Sequence, residues 1–126
     1  MIVYVDTHVA VWLAEANLVK LSQKAMSLMD NGDVRISPMA VVELQYLYDI
    51  GRIVDRPPEI LMKLSAEIGL TVCDYSFPII AKIALGEGWT RDPFDRIIVS
   101  HAKANGLSPL ISSDQAIQKN YLKALC

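Results

Sequence analysis

An α/β fold of three layers, with helices on both faces of a mostly parallel central sheet, is what this sequence predicts. Two observations carry that expectation. Short apolar runs rich in β-branched residues alternate along the chain with longer stretches of helical periodicity. The short runs are continuously apolar instead of alternating, the pattern of strands buried on both faces. At 126 residues and 52% hydrophobic content the chain can build one compact core and hardly two, so residues 1–126 are expected to form one domain.

The elements follow in order. Ile2-Val3-Tyr4-Val5 is β-branched and aromatic with turn chemistry after it, and reads as a buried strand. Residues 7–15 carry apolar side chains around much of a helical wheel, and residues 21–29 repeat Leu21, Ala25, Leu28 and Met29 before stopping at Asn31-Gly32. Val34-Arg35-Ile36-Ser37 is the second strand. Pro38, whose missing N–H suits a first helical position, opens a helix to about Ile50, with Gly51 as its stop. Residues 57–68 form a helix ended by Gly69, Leu70-Thr71-Val72-Cys73 a third strand, and residues 76–85 a helix broken by Gly86 and Gly88. Asp92-Pro93 starts a helix through Asn105-Gly106, Pro109-Leu110-Ile111-Ser112 is the fourth strand, and residues 115–119 a short helix. Tyr121-Leu122-Lys123-Ala124-Leu125 fits strand and helix equally.

Composition narrows the function. No stretch approaches the roughly 20 uninterrupted apolar residues that span a bilayer. Met1 to Val5 has no basic leader and Asp6 ends its apolar run, so no signal peptide and no membrane are expected, and a cytoplasmic location is. Cys73 and Cys126 lack metal-ligand spacing and read as free thiols. A net charge of −2 is not the signature of a strongly basic nucleic-acid binder, and Lys20, Lys24, Arg35, Arg52, Arg91, Arg96, Lys103 and Lys119, the possible phosphate contacts, are scattered.

Acids in apolar surroundings are the chemical signal. Asp6 closes the first strand, Glu43 interrupts Met39-Ala40-Val41-Val42-Glu43-Leu44, Asp95 opens Arg96-Ile97-Ile98-Val99, and Asp114 follows Leu110-Ile111-Ser112-Ser113. An unpaired charge in such places is costly. Helix capping is the competing explanation for Asp6, Asp92 and Asp114, and Asp92-Pro93-Phe94-Asp95 has the form of a helix start. Capping gives no account of Glu43, whose helical neighbours Met39, Ala40, Tyr46 and Leu47 include no cation. Right-handed crossovers place the carboxyl ends of parallel strands on one edge, where open α/β sheets bind ligands. Asp6 and Asp114 should therefore meet there, sharing a hard divalent cation such as Mg²⁺ or Mn²⁺ for phosphodiester hydrolysis. Zinc chemistry, a nucleophile elbow and a phosphate-binding glycine loop find no support: His8 and His101 read as helix residues, and Trp12, Tyr46 and Tyr48 as packing residues before base-stacking ones. Ser112 and Ser113 could donate to a phosphate or simply make a turn.

The segments Val5-Asp6-Thr7-His8, Val41-Val42-Glu43-Leu44, Arg91-Asp92-Pro93-Phe94-Asp95-Arg96-Ile97-Ile98-Val99 and Ile111-Ser112-Ser113-Asp114 together resemble PIN-domain proteins. The likeness is greatest to the VapC toxins of type II toxin–antitoxin modules. It covers essentially the whole chain, and the Asp-Pro-Phe-Asp-Arg segment is its most specific part. The resemblance implies a Mg²⁺- or Mn²⁺-dependent endoribonuclease whose catalytic and metal-binding acids are Asp6, Glu43, Asp95 and Asp114. Asp92 would be an auxiliary acid or a cap; Thr7, Ser113 and Arg96 would support the site or touch phosphate. It also implies an RNA substrate, an antitoxin partner seated in an apolar groove, and a homodimer, with the apolar surplus of residues 7–13 and 39–50 compatible with such surfaces. A receiver-like Mg²⁺-binding signalling module and a catalytically inactive PIN binding domain are the alternatives.

Overall fold

A computed structural model describes residues 1–126. Five parallel strands form one sheet in the order β3-β2-β1-β4-β5, with β1 (Ile2–Val5) at its centre. On one side lie β2 (Asp33–Ile36) and β3 (Thr71–Val72), on the other β4 (Leu110–Ile111) and β5 (Ala124–Leu125). Consecutive residues of a strand point to opposite faces, yet Val3, Tyr4 and Val5 are all fully buried, so both faces of the centre are covered. Seven helices provide the cover: α1 (Thr7–Ala14), α2 (Gln23–Asn31), α3 (Pro38–Asp49), α4 (Pro57–Ile68), α5 (Phe77–Leu85), α6 (Pro93–Ala104) and α7 (Gln115–Asn120). No helix is long and apolar enough to cross a membrane.

Register decides where the loops emerge. Val5 stands opposite Ile36 of β2 and Ile111 of β4, so β1, β2 and β4 end level. The next residues, Asp6, Ser37 and Ser112, leave the sheet side by side. The winding reverses between β1 and β4, since the chain fills β2 and β3 on one side before crossing to the other. Ligand sites of open α/β sheets lie in the crevice outside such a switch point.

Several boundaries differ from the sequence reading for local reasons. The second helix starts at Gln23, because Ser22 caps it by accepting the Ala25 N–H (3.1 Å), and Leu21 lies outside. Ser37 belongs to no strand; its hydroxyl oxygen accepts the Met39 N–H (3.0 Å) and caps α3. The C-terminal ambiguity resolves as a strand, β5 pairing in parallel with β4 after Tyr121 donates its hydroxyl to the Ser108 carbonyl (2.5 Å). Most of the apolar wheel of α1 is core: Val9, Ala10 and Val11 are buried in the central cluster, while Trp12 and Leu13 are only partly buried against it. On α3, by contrast, Val42, Tyr46 and Ile50 at its C-cap are about half exposed and four residues apart.

Gly32, between α2 and β2, is dictated by space. A Cβ there would meet the Leu28 carbonyl at 2.6 Å, Val3 Cγ2 at 2.7 Å and the Met1 carbonyl at 3.0 Å. Gly32→Ala is therefore expected to lower stability by ~1–3 kcal/mol through overpacking against backbone, read as a lower urea midpoint with unchanged slope.

Candidate active site

Asp6 is held at the sheet edge by every polar atom it has. Its N–H donates to the Ile111 carbonyl (2.9 Å), Oδ1 accepts the Thr7 N–H (2.8 Å) and Oδ2 accepts the Ser112 hydroxyl (2.6 Å). Ser112 Oγ in turn accepts the Asp114 N–H (3.1 Å). The carboxylate is only 6% exposed. Burial pushes its pKa up, and the charge of Asp114 adds to this, while the bonds from Ser112 and Thr7 and the nearness of His8 oppose it.

The other acids arrive from separate segments. Glu43 projects from α3, and its Oε1 accepts a hydrogen bond from the hydroxyl of the fully buried Thr7 (2.5 Å). Desolvation raises its pKa, with Asp6 and Asp92 contributing repulsion. Asp92 caps α6, its Oδ1 accepting the Phe94 N–H (2.8 Å), and Pro93 sits at the first helical position. Asp95 follows in the first turn, its pKa pushed up to about 7 by burial and then by Asp92, Asp6, Asp114 and Glu43. Asp114 caps α7 through the Ile117 N–H (3.0 Å).

These five carboxylates line one cleft of about 370 Å³ together with His8, Trp12, Lys20 and Ser113. Capping and clustering, rival readings of the sequence, describe the same side chains. Asp6, Asp92 and Asp114 each cap a helix, and all three caps open on this cleft. Thr7 lies beneath the cleft as the donor to Glu43. Of the two serines, Ser113 is exposed at the wall, whereas Ser112, buried, makes the bond to Asp6. Arg96 is not a site residue in this geometry: its guanidinium donates to the Ala84 carbonyl (2.7 Å) and the Leu85 carbonyl (3.3 Å) at the end of α5. His101 is buried under the frame, with Nδ1 3.0 Å from Ser37 Oγ and 3.1 Å from the Ile97 carbonyl, and burial lowers its pKa. It ties α6, which carries Asp95, to the start of α3, which carries Glu43.

In the sequence His8 reads as a helix residue, Trp12 as a packing residue and Lys20 as one of several scattered possible phosphate contacts; the structure brings all three to the acid cleft. His8 and Trp12 are four residues apart on α1, so a helical wheel begun at Asp6 would have placed both on the cleft side. Lys20 comes from an irregular segment and carries no periodic signal.

The donor set suits a hard cation, since all five strong candidates are carboxylates. No three of the acids, histidines and cysteines are drawn close enough to form a closed cage. A hard cation would be held there by one or two of the carboxylates, with water completing its shell.

The PIN domain family matches residues 3–122 of the chain. Among the solved structures, a chain in the crystal structure of VapBC2 from Rickettsia felis, bound to a DNA fragment from their promoter, is similar in fold. Its TM-score is 0.64 and its sequence identity 20%, over 94% of this chain and 92% of that one. No curated protein matches the sequence.

Burial of these carboxylates, together with their mutual repulsion, has a consequence for stability without metal. A carboxyl group with a raised folded-state pKa binds its proton more tightly in the folded than in the unfolded chain. Between about pH 4 and pH 7 the folded state thus holds more protons, and stability falls as pH rises through the window set by Asp95. Asp6 and Glu43 act in the same direction. In EDTA near pH 8, Asp95→Asn is expected to stabilise the protein by ~1–2 kcal/mol, the full shift being discounted for solvent screening of a partly exposed group. Near pH 3.5 the gain should vanish; urea denaturation at both pH values makes the comparison.

Proposed function

Because the chain belongs to the PIN-domain family, whose members are generally nucleases, we propose that it is a Mg²⁺- or Mn²⁺-dependent endoribonuclease. We further propose that it is a VapC-like toxin of a toxin–antitoxin pair, folded as one domain and working in the cytoplasm. The observation that carries this reading is the convergence of Asp6, Glu43, Asp92, Asp95 and Asp114 from four separate segments on one cleft at the sheet's switch point. A receiver-like reading has no comparable support, given the family match.

A cation bound there would supply Lewis-acid charge to the phosphoryl oxygens and would make the attacking water more acidic. Asp6 and Asp95 are the residues to hold it. Asp6 is aimed by Thr7 N–H and Ser112, so its remaining lone pairs have one orientation. Glu43, with Oε1 occupied by Thr7, is left with Oε2 to take the proton released as water attacks phosphorus in line. The bond from phosphorus to the 3′-oxygen breaks, the departing oxygen gains a proton from solvent, and the products carry 3′-hydroxyl and 5′-phosphate ends. Asp92 and Asp114 keep their capping bonds and raise the negative potential that recruits the cation.

Two surfaces suit the proposed partners. A groove of about 480 Å³ is lined by Leu13, Ala16, Leu18, Met26, Met29, Leu64 and Ile68, with Asp30 and Glu67 as its acids. It fits an apolar antitoxin segment, and Ala16 and Leu18 lie on the same stretch of chain as Lys20 of the acid cleft. The exposed stripe Val42, Tyr46 and Ile50 suits a second copy of the chain, with Tyr46 backed by the Phe94 ring at 5.9 Å.

Purified protein incubated with mixed RNAs should cleave them with Mn²⁺ and not with EDTA, and Asp6→Asn should reduce the rate ~10²–10³-fold. Cleavage by the Asp6→Asn variant at the wild-type rate would refute the assignment. Saturating Mn²⁺ is expected to add about 1–3 kcal/mol of stability to the wild type, and none when Asp6 or Asp95 is alanine. Tyr46→Glu should shift the protein from dimer to monomer in sedimentation velocity, by placing a charge at the centre of the apolar stripe.

A further inference from the structure

One wall of the acid cleft takes no part in the chemistry just described. Trp12 faces the cleft from α1, and Lys20 reaches it from the segment that follows this helix. Lys20 is the sole lysine or arginine among the lining residues, beside five carboxylates. It nevertheless makes no ion pair, the salt bridges of the molecule being Arg35–Asp33 and Lys103–Glu87. Its ammonium stands instead over the Trp12 ring, 5.0 Å from the centroid. The lysine thus sits at the rim of the cleft, its charge left unneutralised.

Its backbone is fixed in place. Ala16 takes the left-handed conformation (φ 55°), a strained choice for a residue with a Cβ, as the chain turns out of α1. The Asn17 N–H donates to the Trp12 carbonyl (2.8 Å) and the Ser22 N–H to the Cys126 carbonyl (2.6 Å). The Cys126 thiol donates to the carbonyl of Lys20 itself (3.2 Å). Trp12 packs against the core and offers a rigid ring. A long, exposed side chain would ordinarily sample many rotamers; an aromatic platform beneath its charge and a clamped backbone restrict it.

We propose that Lys20, steadied by Trp12, is the phosphate anchor of the cleft, binding a backbone phosphate of the RNA next to the one that is cut. This rests on the nuclease reading above. A cleft lined by carboxylates repels a polyanion, and a cation at the metal position neutralises only the phosphate being cleaved. A fixed ammonium at the rim gives the neighbouring phosphate its own counter-charge and sets the register of the strand. Lys20 touches substrate; Trp12 acts through Lys20 and is a positioning residue.

The test compares the wild type, Lys20→Met, Lys20→Arg and Trp12→Leu in Mn²⁺-dependent cleavage of a labelled oligoribonucleotide. Binding of the same RNA is followed by fluorescence anisotropy in an Asp6→Asn background, with salt as the variable. Lys20→Met is expected to raise KM about tenfold with kcat within about twofold. It should also make the slope of log affinity against log salt shallower by about 0.7, the loss of one phosphate contact to a single strand. Lys20→Arg should restore both, and Trp12→Leu should raise KM in the same sense. Lys20 is exposed, so its variants test the idea without threatening the fold. If the wild type cleaves and Lys20→Met matches it in KM and salt slope, the anchor is refuted and the nuclease reading stands. If the wild type neither binds nor cleaves RNA, both fall together.

Discussion

Carboxylates that share a partly desolvated cleft repel one another, and a scaffold must oppose that repulsion wherever several are kept together. Here the opposition comes from helix N-termini. Asp6, Asp92 and Asp114 cap α1, α6 and α7, and Asp95 lies in the first turn of α6. Each capping carboxylate accepts a backbone N–H that would otherwise be unpaired, and each meets the positive end of a helix dipole. Three such ends aimed at one cleft offset part of the charge while fixing where each oxygen points. Glu43 lacks a helix terminus and depends on a buried threonine hydroxyl instead. Burial first, and the neighbouring acids after it, still raise the pKa values of Asp6, Glu43 and Asp95.

Rigidity around the cleft comes from buried polar contacts between elements distant in sequence. Tyr4, fully buried in the central strand, donates its hydroxyl to Cys73 Sγ (3.0 Å) just beyond β3 and accepts from Asn105 at the end of α6. At the other side of the frame His101 joins α6 to Ser37, and Tyr121 joins the start of the last turn to Ser108. A misplacement of α6 would break several of these bonds at once, leaving buried polar groups without partners. The position of Asp95 relative to Asp6 is thereby set by the whole frame, at a distance from either carboxylate.

Much of this was legible in the order of residues. Continuous apolar runs gave parallel strands, proline and cap residues gave the starts of α3 and α6, and acids in apolar company marked Asp6, Glu43, Asp95 and Asp114. These signals are local: period, turn chemistry and the cost of a buried charge act within a few residues of chain. Ser22 and Ser37 read by periodicity as members of an element, whereas their side chains cap the helix that follows.

Pairings across the fold obey no such local rule. Nothing near Ser112 or Ser113 says which hydroxyl faces Asp6; level strand ends at Val5 and Ile111 decide it. Arg96 adjoins Asp95 in sequence yet serves the carbonyls of α5, because neighbouring residues on a helix leave it about 100° apart. Lys20 meets Trp12 through an irregular segment clamped from the far end of the chain. Hydrophobic pattern and capping chemistry are written along the polypeptide and settle which elements form. Which side chains confront one another depends on register, helix orientation and loop path, and those arise when the sheet assembles around β1.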